Sequence, residues 1–567
     1  MRQHRATNWS FLLKLTRWTL IYSYLLILLT NCGKGPESTD GKHVFRYNCH
    51  EVLGSLDPAF ASDQATIWAT TQLYNGLIEL DSNLRVQPSL AESWVISEDL
   101  KTYTFNIRGG VHFHDHELFE GGKGRILNAY DVEYSLKRIC DTTDIYNKGI
   151  WIFKDKVLKD QFGRISDTCF KAVDDQTFKV YLEQPSPHFL QILAMPYAFV
   201  IPHEVAEHYG REFRSHPVGT GPFKFSLWEE GNTLIFLKNE AYWKSNSKGE
   251  RLPYLDAVQV SFTPDKGQAF RSFMLGSLDM VSGIEFSFID DVLYMDGAFK
   301  ENIESKFNCT KIPYLNTEYI GIQLDPEAPC YKGKDHPLLN VDFRKALTYA
   351  IDKNRLVATL RNGVGNPGNH GMVPPAVPDF ELNKINTYQF DPAKAISSFE
   401  QSGWKGRALP EIYLTIAKEN KDMGEFLSKQ WEEVLSISIK VQIKEPKAIR
   451  GLANKGQLNF FKGSWLGDYP DAENYLALFY SNNFTPNGPN KTHFKDDTFD
   501  SLYLGAAFEE DHELRYRQFE TMDKLVMESA PVIVLFYDEV VLLSQKNVSG
   551  LASNPMNVLK LEATRKK

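Results

Sequence analysis

Cysteine is scarce in this chain: six in 567 residues, with no C-x-x-C pair. Structural zinc sites and dithiol redox centres are built on that spacing, so neither class finds a start here. Setting Cys32 aside leaves Cys49, Cys140, Cys169, Cys309 and Cys330. Five is odd, so at least one thiol stays unpaired within a single chain; Cys309 and Cys330 are near enough in sequence to pair. Nucleotide and nucleophile motifs are missing as well. There is no P-loop, no G-x-S-x-G elbow and no G-x-G-x-x-G joining a strand to a helix. Ser245-Asn246-Ser247-Lys248 fits S-x-x-K, but its S-D-N and K-T-G companions are absent. No block of Lys and Arg occurs, and the formal charge is -9. An acidic body of this kind excludes nucleic acid as the partner. Apolar runs long enough to span a bilayer are lacking too: Trp18–Thr30 is uncharged and mostly apolar but short of the roughly 20 residues required.

That short run is informative for what surrounds it. Arg2, Arg5, Lys14 and Arg17 precede it with no acidic residue, which is the layout of a secretory signal over residues 1–31. Cys32 follows directly, and residues 32–42 read as a tether linker by composition. Leu29-Thr30-Asn31-Cys32 resembles a bacterial lipobox, although Asn31 stands where a small residue is usual. The resemblance implies a lipid on Cys32 and a chain tethered to a membrane rather than spanning one.

At 567 residues the chain predicts two to four domains. Strand patterns fall at His43–Tyr47, Tyr103–Arg108, Phe178–Leu182, Leu234–Leu237, Ala257–Phe262, Tyr319–Leu324, Ile412–Ile416, Ile437–Ile443 and Val532–Tyr537. Helical patterns fall at Gln64–Leu77, Asn128–Arg138, Asn340–Leu360, Gly424–Leu435 and Arg515–Glu528. In the third of these, Phe343, Leu347, Ala350 and Ile351 take one side and Asp342, Arg344, Lys345 and Lys353 the other. Strands and helices mixed throughout argue for α/β domains.

Two histidine-rich segments bear on metal chemistry. His203 and His208 flank a Glu-containing helix start, but they are five residues apart, roughly 140° round a helix, where zinc ligands sit one turn apart. His112, His114 and His116 would share one face of an extended strand, which keeps a transition metal open as a ligand.

The richest segment is Phe460-Phe461-Lys462-Gly463-Ser464-Trp465-Leu466-Gly467-Asp468-Tyr469-Pro470-Asp471. It reads as an apolar strand ending in glycines, an aromatic and one carboxylate at a turn. That combination offers backbone hydrogen bonds, a stacking surface and a single negative charge. It suits a small extended cation such as the amino end of a peptide, and it supplies no nucleophile with a base.

Several stretches in order resemble family 5 of the bacterial extracellular solute-binding proteins, the peptide and dipeptide receptors of ABC importers. They are Leu56-Asp57-Pro58, Leu73-Tyr74-Asn75-Gly76-Leu77-Ile78, Pro88-Ser89-Leu90-Ala91-Glu92-Ser93-Trp94, Pro217-Val218-Gly219-Thr220-Gly221-Pro222-Phe223, Asn239-Glu240-Ala241-Tyr242-Trp243, Phe343-Arg344-Lys345-Ala346-Leu347 and Trp465–Asp471. The resemblance implies an α/β, two-lobed, periplasmic-binding-protein-like fold of type II in its large three-domain variant, with mixed sheets and a hinge. The implied division is a first domain from 43–82, 206–312 and 529–567, an inserted second domain at 83–205 and a third at 313–528. The resemblance further implies that Asp468 pairs with a ligand ammonium, that Gly463 and Ser464 pair with its backbone, and that Lys462 lies near its carboxylate. Trp465 and Tyr74 are expected to line the pocket. No cofactor is expected and no reaction; the expected partners are short peptides and the permease and ATPase subunits, with this chain a monomer in the cell envelope. A different solute, such as a nickel chelate, haem, a sugar or an opine, is the alternative within the family; an envelope hydrolase is the alternative outside it.

Overall fold

The computed structural model describes residues 43–140, 152–153, 156–381, 385 and 388–567. The signal segment and Cys32 lie outside the described residues. Among those described, no helix is long and apolar enough to cross a membrane.

The architecture follows from two unusually long strands. Phe307–Ile322 and Val532–Gln545 run antiparallel to one another along almost their whole length. They stand in the middle of an 11-stranded sheet. On one side of the pair come Phe460–Leu466, Ile412–Ile416 and Ile439–Ile443. On the other come Met280–Ser282, Val44–Asn48, Ala257–Ser261, Thr233–Lys238 and Phe223–Glu229, and the short strand Asn366–Pro367 pairs with Val532–Gln545 off this path. The register of the two long strands slips between Pro313 and Thr317 and again between Glu318 and Tyr319. Such irregularities bend a strand and increase its twist. On one side of the slips the pair packs with the first lobe; on the other it packs with the second.

In the second lobe both faces of the sheet are covered. Ile533 and Leu535 join Ile320, Leu347 and Trp431 in one core, while Val532 and Val534 join Tyr319, Tyr475 and Phe519 in another. Burial on both faces is why Val532–Tyr537 is apolar at every position rather than alternating. Besides a smaller cluster of Phe270, Phe273, Phe307 and Leu543, the first lobe has one large core. It joins Phe45 and Trp68 of the first domain to Phe105, Phe178 and Phe189 around an inserted four-stranded sheet, Ala91–Ile96, Thr102–Ile107, Thr177–Tyr181 and Phe170–Ala172. Arg138, from the helix Ala129–Ile139 of the insert, pairs with the buried Asp57 of the first domain, Nη1 to Oδ1 at 2.9 Å. The helix begins as expected, with a capping box between Asn128 and Asp131.

The structure departs from the sequence expectations in several places. Asn340–Leu360 is two helices, Val341–Tyr349 and Lys353–Arg361, because Asp352 caps the second by accepting from the Arg355 amide at 2.9 Å. Arg344 and Lys353 do not belong to a solvated face; both are buried. Arg344 donates to the carbonyls of Leu338, Ser529 and Ala530, and Lys353 to those of Gly368 and Tyr388. The two cations thus tie together backbone carbonyls from separate segments of the chain. The first helix stops at Leu73 rather than Leu77, since Tyr74 is already extended ahead of Asn75-Gly76. All five described cysteines are free thiols, so Cys309 and Cys330 are not bridged.

Candidate functional site

The strand Phe460–Leu466 pairs from end to end with the long strand Phe307–Ile322, from Phe460 opposite Ile322 to Leu466 opposite Asn316. On its other edge the only partner among the described residues is Thr415, opposite Phe461. From Lys462 onward that edge carries backbone groups with no neighbouring strand among the described residues. Two glycines fix how the segment lies. A Cβ on Gly463 would fall 2.7 Å from the Tyr319 ring, and one on Gly467 would fall 2.6 Å from the Tyr475 hydroxyl. That hydroxyl and the Gly467 amide both donate to the Leu315 carbonyl, each at 2.7 Å.

Asn474, which the sequence reading missed, organises the turn. Its side-chain oxygen accepts from the Trp465 indole at 2.9 Å and from the Asp468 amide at 3.2 Å. Its amide nitrogen faces the Asp468 carboxylate. Three residues beyond Asp468, Asp471 is held by Arg515 through two bonds of 2.8 and 3.0 Å, with both side chains buried. Tyr469 crosses to the other lobe and stacks flat on His188 of the insert, ring centres 4.8 Å apart.

Asp468 is left with an unmatched charge. No cationic side chain among the described residues lies within ion-pair distance of it, and it is largely buried. Burial pushes its carboxyl up to about 6, against the smaller opposing effect of the Asn474 amide. It opens on a crevice of about 500 Å³ between the lobes. Leu466, Asp468, Tyr314 and Val540 form one wall. The other is built from the segment Asn48–Glu51 and the start of the helix Gln64–Leu73, which Asp63 caps. Three acids, Glu51, Asp63 and Asp468, stand in this lining against one lysine, Lys266.

The other expected residues are placed as follows. Ser464 is exposed on the strand, and Gly463 lies two residues beyond the last paired position. Lys462 forms an ion pair with Glu318, which also accepts from Asn316 at 2.8 Å. Its charge is therefore already met within the sheet. Trp465 is half-buried, pinned by Asn474 and packed toward the second-lobe core, and it is not part of the crevice wall. Tyr74 is buried, donates to the Leu56 carbonyl at 3.1 Å and faces a separate cavity. Of the expected residues only Asp468 lines the crevice, beside Gly467 and the strand's last residue, Leu466.

The histidine readings are resolved by geometry. His114 is buried with one ring nitrogen 3.0 Å from the Gly221 carbonyl and the other bonded to the Gly219 amide at 3.3 Å, so it has no nitrogen left for a metal. His203 does lie beside Asp131 and Glu204. Between those carboxylates, however, sits the Arg125 guanidinium, 2.6 Å from Asp131 and 2.7 Å from Glu204. A fixed cation already fills the place a zinc would take.

A family model described as bacterial extracellular solute-binding proteins, family 5, middle region, matches residues 85–487. The chain belongs to that family. Members of family 5 are solute-binding receptors, and the family name places them outside the cytoplasm. The chain is 25% identical over 503 residues to the dipeptide-binding protein of Escherichia coli, covering 86% of this chain and 88% of that one. It is 26% identical over 545 residues to heme-binding protein A of Haemophilus influenzae, covering 93% of each. Its fold is shared with the structure of HbpA2 from Haemophilus parasuis, at a TM-score of 0.76 and 23% identity, over 92% of this chain and all of that one. The two-lobed α/β architecture is thus that of the type II binding proteins.

Proposed function

We propose that this chain captures short peptides between its lobes and delivers them to the permease of an ABC importer. The observation that carries the proposal is Asp468: a half-buried carboxylate, without a counter-charge among the described residues, that faces the crevice at the end of an open strand edge. A peptide brings what is missing, an ammonium at one end and a main chain that can pair with any sequence-tolerant edge. Two relatives carrying dipeptide- or oligopeptide-binding names point the same way. Haem is the less suitable occupant, because its propionates would meet a lining of three acids and one lysine. In this reading Asp468 takes the ammonium, Gly463 and Ser464 the backbone, and Trp465 supports the turn. Lys462 would reach a ligand carboxylate only by leaving Glu318.

The test is direct. A peptide with a free amino end should bind at least 30-fold more tightly than the same peptide acetylated there, measured by calorimetry at pH 7.5. Equal affinity would remove Asp468 from the site.

A receptor rather than an enzyme also fits the crevice chemistry. Cys49 and His50 lie there side by side. Burial pushes the Cys49 thiol up to about 11 and His50 down, the reverse of what a thiolate nucleophile and its base require. We further propose the domains expected from sequence, at 43–82, 83–205, 206–312 and 313–528, with the last boundary moved from 529 to 538 because Val532–Tyr537 packs in the second-lobe cores; the strand irregularity after Pro313 supports the start of the 313–528 segment. The mature monomer is proposed to begin at Cys32, carry a lipid there and remain in the cell envelope. Cys32→Ser should move the protein from the membrane pellet to the soluble fraction, and unchanged pelleting would refute the tether.

A further inference from the structure

Behind the crevice lies a second, smaller cavity of about 60 Å³, bounded by the helix Gln64–Leu73, the insert and the C-terminal tail. Met195, Pro196, Met556 and Val558 belong to the walls of both spaces, so the two adjoin across a thin apolar lip. Three polar atoms of the cavity wall are buried without a hydrogen-bond partner among the described residues: Gln72 Oε1, Ser89 Oγ and Gln191 Oε1. Gln72 cannot be relieved by turning its amide over, because its nitrogen already donates to the carbonyls of Trp68 at 2.9 Å and Leu559 at 2.8 Å. Buried polar groups are rarely left unmade, since each costs the desolvation of that group.

The charged groups at the rim do not need a ligand. Glu79 pairs with Lys244 at 2.7 Å and with Lys560 at 3.4 Å, and Glu562 pairs with Lys244 at 3.3 Å. What is unmet is neutral: two amide oxygens that want N–H or O–H donors, and one hydroxyl that can give a proton. A water occupies about 10–15 Å³ of such space, so the cavity has room for a group of three or four heavy atoms.

We propose that this cavity is a side-chain subsite for a carboxamide, the end of a glutamine or asparagine residue in the bound ligand. The inference rests on the peptide reading given above. A carboxamide has two N–H donors for Gln72 Oε1 and Gln191 Oε1, and one carbonyl to accept from Ser89 Oγ. A carboxylate would set its charge against two amide oxygens, and a thioether or branched aliphatic end would leave all three atoms unmade. Ligands with short side chains leave the space to water, which can make the same bonds.

The test is a calorimetric series on the full mature chain. Tri-alanine and tetra-alanine are compared with peptides carrying Gln, Met or Glu at each position in turn. At one position Gln should bind at least tenfold more tightly than Met or Glu. Gln191→Leu should bring the Gln-to-Met ratio at that position to within twofold, and Ser89→Ala should reduce it severalfold. Alanine peptides that bind while Gln and Met are equal at every position overturn the subsite but leave the peptide reading standing. A ratio that survives both substitutions also overturns it. If no peptide binds at all, the peptide reading itself fails and the subsite with it.

Discussion

Asp468→Asn is expected to lose peptide affinity and to melt higher than the wild type when no ligand is present. Both effects have one origin. The carboxylate sits largely desolvated with no cation beside it among the described residues, so in the empty protein its charge is a cost, and in the complex that charge is what holds the ammonium. Removing one member of a buried charge pair typically weakens a complex by roughly 2–4 kcal/mol, a loss of about 30- to 1,000-fold. In the empty protein the carboxyl stands at about 6. The displacement from the ordinary carboxylate range corresponds to roughly 2–3 kcal/mol of stability that the asparagine recovers at neutral pH. Calorimetry with a free-amino peptide and thermal melts of the empty protein measure the two halves. A variant that binds as the wild type does would sink the proposed contact.

The pH dependence separates this group from others. Because the folded-state value lies above the unfolded one, the folded chain holds the proton more tightly. The cost is present in full above about pH 6 and disappears as pH falls toward 4, so the melting gap between wild type and variant should close over that window. Peptide affinity runs the other way, falling about tenfold per unit below pH 6 as the anion is neutralised. Asp523 adds a background of the same sign. It is fully buried, accepts the Met372 and Val373 amides at 2.8 and 3.3 Å, and is pushed up to about 7 by burial. Only the difference between wild type and variant isolates Asp468.

Much of the sheet was legible from the sequence, because its strands carry strong local signals: alternation at Thr102–Ile107 and an unbroken apolar run at Val532–Tyr537. The long strands were not legible over their full length. Pro313, Glu318, Asp538 and Glu539 interrupt the pattern just where the pair passes between lobes and its register slips. Arg344 and Lys353 misled for a related reason. A charged residue on a helix reads as solvated unless one knows that carbonyls from Ser529 or Gly368 will converge on it. At the site, Asp468 stood out by its place after a strand and two glycines. Asn474 carried no such signal, since its role depends on a turn folding back to the indole and amide of residues nine and six positions earlier. The facing wall, Asn48–Glu51 and the helix capped by Asp63, comes from the opposite end of the chain and meets Asp468 only through the tertiary fold.

The turn that presents Asp468 depends in turn on a second buried acid with the opposite electrostatic setting. Burial would raise Asp471, but the Arg515 guanidinium and then His188 overcome that and hold its carboxyl below the usual range. Arg515→Met should therefore destabilise the chain by about 3–5 kcal/mol, the size expected when a buried ion pair loses one partner and strands the other. The Ala506 carbonyl, which accepts from Arg515 Nε at 3.1 Å, loses its donor as well. Asp471 stability is present above the ordinary carboxylate value near 4 and is lost as pH falls through the depressed folded value. In the variant the stranded carboxyl is instead pushed upward, so protonation relieves it. The gap between wild type and variant is thus widest at neutral pH, narrows toward pH 4 as the stranded carboxyl takes up its proton, and narrows further below pH 4 as the wild-type pair is neutralised. Urea melts at pH 7.5 and pH 4 read this directly, and a gap that widens in acid would contradict it. Because the Asn474 backbone N–H donates to the Asp471 carbonyl at 3.1 Å, the folded fraction of the variant should also discriminate less between free and acetylated peptides. Full discrimination in that fraction would show that the Asp471–Arg515 pair holds the fold without placing the anion.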